Sequence, residues 1–149
     1  MKGDNTLRIM QLLDDLKFKD SEPLAEPLLV DTDGRILRFC LRPHQRIAEH
    51  NVPHSPFYVV VLSGQGMFAS RDGEEVQIGP GSLLVFEPGE NHAVRALEDD
   101  LVMVGFLQGA PGARRSNRRR NGRWLIHQPT QLRRPNCIGD GIRPPLQPR

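Results

Sequence analysis

From residue 28 onward the chain alternates short apolar runs with turn signals. The run 28–31 is followed by Asp33-Gly34, the run 35–41 by Pro43-His44, and Arg46–His50 leads on to 57–62. Beyond Ser63-Gly64-Gln65-Gly66 come 67–70, Asp72-Gly73 and 74–78. Gly79-Pro80-Gly81 then precedes 83–87, Pro88-Gly89 precedes 92–97, and the acids at 98–100 precede 101–107. An Asp-Gly pair between β-rich runs is a strong local hairpin signal. About nine short strands at spacings of roughly 8–12 residues predict an antiparallel sandwich or barrel. The sequence has no βαβ alternation, no Gly-rich loop opening a helix and no internal repeat.

Ahead of the strands, Ile9, Leu12, Leu13 and Leu16 recur at helical spacing within 6–18, with Leu7 and Met10 beside them and Asn5 or Thr6 able to cap. That spacing predicts one short amphipathic helix inside 1–20. Pro23 and Pro27 then break the pattern, and a β domain is expected over 21–109. The last 40 residues, 110–149, change character at Gly109-Ala110-Pro111-Gly112. They hold six prolines and no periodic pattern longer than Trp124-Leu125-Ile126.

Composition sharpens this division. The chain has 149 residues, 14 Gly, 13 Pro and only 5% aromatics, which suits turn-rich β structure better than a helical bundle. Residues 1–109 carry ten basic and seventeen acidic side chains, a formal −7, while 110–149 carry ten Arg and one acid, a formal +9. So few apolar groups at such charge bury too little surface to offset chain entropy, and the tail is expected to be disordered. Arg114, Arg115, Arg118, Arg119, Arg120 and Arg123 would suit nucleic-acid phosphates through counterion release. A solvated arm is the plainer reading, because Trp124 is the only aromatic among them. No apolar run approaches the ~18–20 residues of a bilayer span, so no membrane partner is expected. The acidic N-terminus does not read as a secretory signal, and Cys40 and Cys137 read as free thiols of a cytoplasmic chain.

The strand region resembles the cupins, small jelly-roll β-barrels. Their first motif runs G-x5-H-x-H-x3–4-E-x6-G, and on this chain it falls on His44, His50, Val52, Phe57 and Gly64. The second runs G-x5-P-x-G-x2-H-x3-N and falls on Gly81, Glu87, Gly89, His92 and Ala96. The spacing fits throughout, and about half of the identities do. The stretch from Val59 to Gly66 and the Gly-entered strand Gly79-Pro80-Gly81-Ser82-Leu83-Leu84-Val85-Phe86 share the family's rhythm. The resemblance covers about 30–107 and implies an all-β jelly-roll barrel that often pairs as a homodimer. It also implies a lumen site in which three His and one Glu hold a divalent transition metal (Zn, Fe, Mn or Ni), an N/O environment suited to such ions.

This sequence departs from that set at Val52 and Phe57, neither of which can ligate. Alternate residues of a barrel strand face inward, so regular alternation puts Arg46, Ala48, His50 and Val52 on one face and Ile47, Glu49 and Asn51 on the other. His54 lies two residues past Val52. If the backbone stays extended, His50, His54 and His92 form a three-imidazole metal site with open positions. If His54 sits in a loop, the lumen is degenerate and metal-free. Arg46, Phe57 and Glu90 are the candidate ligand contacts: Arg46 to hold an anion, Phe57 as apolar wall, Glu90 to hydrogen-bond an imidazole. The functional expectation is therefore a metal ion, a small molecule or both in the barrel lumen. The alternatives are a metal-dependent dioxygenase or isomerase acting on a small acid or sugar, and a nucleic-acid-associated protein acting through its Arg tail.

Overall fold

The computed structural model describes residues 6–109. Its regular structure is entirely β: β1 (Leu24–Val30), β2 (Gly34–Leu41), β3 (Arg46–His50), β4 (Phe57–Ser63), β5 (Gly66–Ala69), β6 (Glu75–Ile78), β7 (Leu83–Phe86), β8 (His92–Ala96) and β9 (Leu101–Gln108). All nine strands lie close to where the alternation predicts them. Two antiparallel sheets result, one ordered β1-β2-β9-β4-β7 and the other β3-β8-β5-β6. Among the described residues no helix is long and apolar enough to cross a membrane. The segment 110–149, expected to be a disordered basic tail, lies outside the described residues.

The sheets face each other across one apolar core. Phe57, Val59 and Val61 of β4, Leu101, Met103 and Leu107 of β9, and Leu41 of β2 meet Phe68 of β5 and Val94 and Ala96 of β8. These residues sit two apart along their strands, so period-2 patterning fixes which face is buried. β1 begins at Leu24, earlier than the prolines suggest. Pro27 is tolerated because β1 is an edge strand, and the register shifts between Pro27 and Leu29.

The helix expected over 6–18 does not form. Residues 6–11 have no regular structure, and a turn spans Leu12 to Asp15, where Asp15 takes φ 49°. The reason lies on β2. Arg38 is 5% exposed, and its guanidinium donates to Glu26 Oε2 at 2.6 and 3.1 Å and to the carbonyls of Leu12 (3.1 Å), Asp14 (2.9 Å) and Asp15 (3.4 Å). A buried charge needs this many acceptors. An isolated helix of about thirteen residues is marginal in water, so its carbonyls serve Arg38 better than they serve a helical ladder. Further along this strap, Phe18 lies under Arg42 at 4.6 Å, and Gln45 Nε2 donates to the Lys19 and Asp20 carbonyls.

Arg38→Ala is expected to lower unfolding free energy by about 3 kcal/mol, because it strips Glu26 and three carbonyls of their shared partner. Urea denaturation reads that loss. Limited proteolysis of the same variant is expected to accelerate within residues 6–20 while the barrel stays intact.

Candidate functional site

β3 and β8 pair at one end of the four-stranded sheet. Arg46 faces Arg95 and Ile47 faces Val94, but the next matched pair is His50 with His92. Three steps on β3 thus oppose two on β8, a bulge that re-aims the strand. Ile47 packs toward the core, and after the bulge so does the His50 ring. The regular alternation expected from sequence breaks here. Arg46 does not share the His50 face; it lines a shallow outer depression with Arg95, Glu49, Met67 and Glu75.

The two imidazoles meet, with ring centroids 4.3 Å apart and planes at 64°. His92 is 5% exposed, whereas His50 sits at the mouth. Each ring is oriented by a backbone carbonyl two residues earlier: His92 Nδ1 lies 3.0 Å from Glu90 O, and His50 Nδ1 lies 2.9 Å from Ala48 O. A carbonyl only accepts, so both Nδ1 atoms carry a hydrogen, and in a neutral His92 ring the Nε2 presents a lone pair. The Nε2 of His92 is fully buried and finds no partner among the described residues. Burial pushes the His92 pKa below its usual value near 6.5, with the adjacent His50 a smaller cause in the same direction, so this ring is neutral at physiological pH.

Aromatic rings surround His92. Phe86 stacks on it at 4.5 Å between centroids and Phe57 at 5.1 Å, and Phe39 meets Phe57 edge-on at 6.3 Å. Phe57 has room because β9 carries Gly105 beneath it. A Cβ there would come within 2.5 Å of the Phe57 ring. With Ile47, Val59, Phe68, Val94 and Met103, these rings line a tight apolar cleft whose interior has room for about 20 Å³, the space of roughly one water centre.

The remaining expected site residues lie elsewhere. His54 is exposed on a turn and does not line the cleft. The carboxylate of Glu90 accepts from the Glu87 backbone N–H at 2.8 Å and braces the turn, so it is the Glu90 carbonyl that serves His92. Two residues that sequence reasoning passed over lock the mouth: Asn51 Nδ2 donates to Asn91 Oδ1 at 2.8 Å, and Asn91 Nδ2 donates to Glu49 Oε1 at 2.9 Å. Forty positions separate Asn51 from Asn91, and no local pattern links them.

Comparison with known proteins supplies the family. The model of the cupin domain family matches residues 37–106. Residues 37–106 form a cupin domain. This cupin superposes on an uncharacterised conserved protein with a double-stranded β-helix domain from Klebsiella pneumoniae, with TM-score 0.67 at 20% identity, over 72% of this chain and 95% of that one. The TT1209 protein of Thermus thermophilus aligns with TM-score 0.66 at 18% identity, over 70% and 100% of the two chains. An RmlC-like cupin from Desulfovibrio desulfuricans aligns with TM-score 0.63 at 24% identity, over 68% and 97%. At such identities the likeness is one of fold. No curated protein matches the chain.

The resemblance to cupins implies a metal, and the donor set here can be tested against it. Phe57 occupies the carboxylate position, Val52 occupies an imidazole position, and His54 points away. Two imidazoles remain against apolar walls. Among the described residues no group of three or more His, Cys, Asp or Glu is placed to hold an ion. Transition-metal sites draw on at least three protein donors, so these residues do not fit a resident divalent cation.

The lowered pKa of His92 has a consequence for stability. The folded protein binds this proton less readily than the unfolded chain, so stability is complete above about pH 6.5 and falls as pH drops through the lowered folded value. His92→Phe is expected to flatten this component. Between pH 7.5 and 5 the urea midpoint of the wild type should fall relative to that of His92→Phe on acidification, and parallel profiles would contradict the assignment.

Proposed function

We propose that this cupin binds a small, largely apolar molecule in its lumen, without a resident divalent cation. The observation that supports the reading is the His92 Nε2 atom, buried and unpartnered between Phe57 and Phe86. A buried polar atom without a partner costs roughly 1–3 kcal/mol, and such an expense is commonly kept where it serves a ligand. The cleft is apolar and concave, with closed space for about 20 Å³ beyond which a ligand would extend through the mouth at His50. The dioxygenase or isomerase alternative needs an ion for which this donor set is too poor. The nucleic-acid alternative rests on residues 114–123, outside the described part.

Two measurements test the reading. Elemental analysis of purified protein is expected to find no stoichiometric Zn, Fe, Mn or Ni. Stoichiometric metal lost in His92→Ala would replace this reading with a metal-centred one. Titration with toluene is expected to shift the NMR resonances of Phe57, Phe86 and His92 together, and no shift at solubility-limited toluene would argue against a ligand in the lumen.

A second reading concerns assembly, and the outer face of the five-stranded sheet favours it. Val85, Tyr58, Phe106, Ile36 and Leu29 are successive register partners across all five strands. Val102 and Val104 on this face are buried, yet Leu83 is 63% and Val85 53% exposed. β7 is an edge strand carrying neither charge nor proline, whereas β1 has Pro27 and a bulge, β3 is bulged and charged, and β6 carries Glu75 and Gln77. Natural sheets blunt edges that must stay free, so the undefended β7 edge suits a second copy of this chain. The protein is expected to elute as a dimer by light scattering, and Val85→Lys is expected to shift it to monomer without loss of fold.

A further inference from the structure

β2 runs against β9 without a break in register, from Gly34 opposite Gln108 to Leu41 opposite Leu101. Its odd positions face inward: Leu37 packs on the core, Phe39 lines the cleft and Leu41 is fully buried. Arg35 is the next inward position of that series. Across the five-stranded sheet its row continues through Leu107 and Phe57 to Phe86. The His92 ring stacks against Phe57 and Phe86, which puts it and its cross-strand partner His50 at this same end of the barrel. Phe39 and His50 line one cleft, so β2 and β3 adjoin there. Arg35 thus stands on the rim of the lumen mouth.

This guanidinium is half-buried and has no hydrogen bond or ion pair among the described residues. Its Nε is shut off from solvent without an acceptor. That atom and the Nε2 of His92 are the two buried side-chain nitrogens left unpartnered among the described residues, and both belong to this end of the barrel. Arg38, three positions on, receives Glu26 and three carbonyls; Arg35 receives nothing. Three acids at the same end are engaged elsewhere. Asp31 Oδ1 accepts from the Asp33 and Gly34 N–H groups, Glu49 Oε1 from Asn91 and Glu90 Oε2 from the Glu87 N–H. A partly desolvated charge without a partner is costly, and a rim position is one where a ligand can supply the partner.

We infer that Arg35 binds the carboxylate of a small monoacid at the lumen mouth. The two Nη groups are the part of the fork left to solvent, and a carboxylate meets such a pair with two parallel hydrogen bonds. The class is a monoanion, because one guanidinium faces it and Asp31 and Glu49 lie at the same end, where a doubly charged phosphate would meet more repulsion. The placement of the rest of the molecule rests on the reading that the lumen binds a small molecule. The closed space takes about one heavy atom, so the remainder of the chain would run along the rim past His50 to Arg35.

The test compares hexanoate with hexanol on the full chain. An NMR titration follows the Arg35 Nε–H signal and the ring resonances of Phe57, Phe86 and His92. Hexanoate is expected to bind about tenfold or more tightly than hexanol, the worth of a charge-assisted pair. Most of that preference should vanish between about 0.05 and about 1 M NaCl. Arg35→Gln should erase the preference while leaving the affinity for hexanol unchanged. Arg35→Lys, which keeps the charge without the fork, is the second variant should the glutamine disturb packing, and it should retain part of the preference. Arg46→Gln, on the outer face, should change nothing.

Hexanoate binding no tighter than hexanol, or a preference that survives Arg35→Gln, overturns the Arg35 assignment. A preference that Arg35→Gln removes, with Phe57, Phe86 and His92 unmoved by either probe, upholds the Arg35 site and overturns the lumen reading, so the two failures are separable.

Discussion

The chemistry of this barrel hangs on one extra residue in β3. Without the bulge between Ile47 and His50, a strict period-2 strand that buries Ile47 would bury Glu49 and turn His50 to solvent. With it, Ile47 and His50 both face inward against Val94 and His92. Arg46 precedes the bulge, beside the inward Ile47, and lies on the outer face with Arg95. A single backbone irregularity thus decides that the His50 ring reaches the lumen. The Glu49–Asn91–Asn51 chain of hydrogen bonds fastens the re-aimed strand end to β8.

Within that frame the lumen has traded charge for aromatic bulk. Phe57 stands where related motifs place a carboxylate, and Gly105 on β9 makes the space its ring needs. The exchange changes the electrostatics of His92. Against a carboxylate, imidazolium would be favoured; against Phe57 and Phe86, desolvation favours the neutral ring. A neutral ring with its Nδ1 hydrogen committed to Glu90 O is a hydrogen-bond acceptor with one free lone pair.

The opposite face of the molecule shows the same economy of partners. Arg38 is buried on an outward sheet face and needs acceptors, so the chain before β1 supplies three carbonyls and Glu26 supplies a carboxylate. The strap is thus ordered by a β-strand side chain rather than by its own helical spacing. Local propensity was too weak to compete with a desolvated guanidinium.

These contrasts mark what the sequence alone determined. Nine strands and their turns were readable because short apolar runs and Gly, Pro and Asp-Gly turns are written locally. The cupin motif spacing also brought out His50 and His92, with Phe57 as a departure at the carboxylate position. Tertiary structure decided the rest. The β3 bulge leaves no composition signal, so the faces of Arg46 and His50 could not be separated from the string of residues. His54 depended on whether the backbone past Val52 stays extended, and it turns instead. Arg38 reads as an ordinary strand charge until its burial is known, and the Asn51–Asn91 link spans forty positions. Each of these turns on which groups are desolvated together, a property of closed sheets that no window of sequence contains.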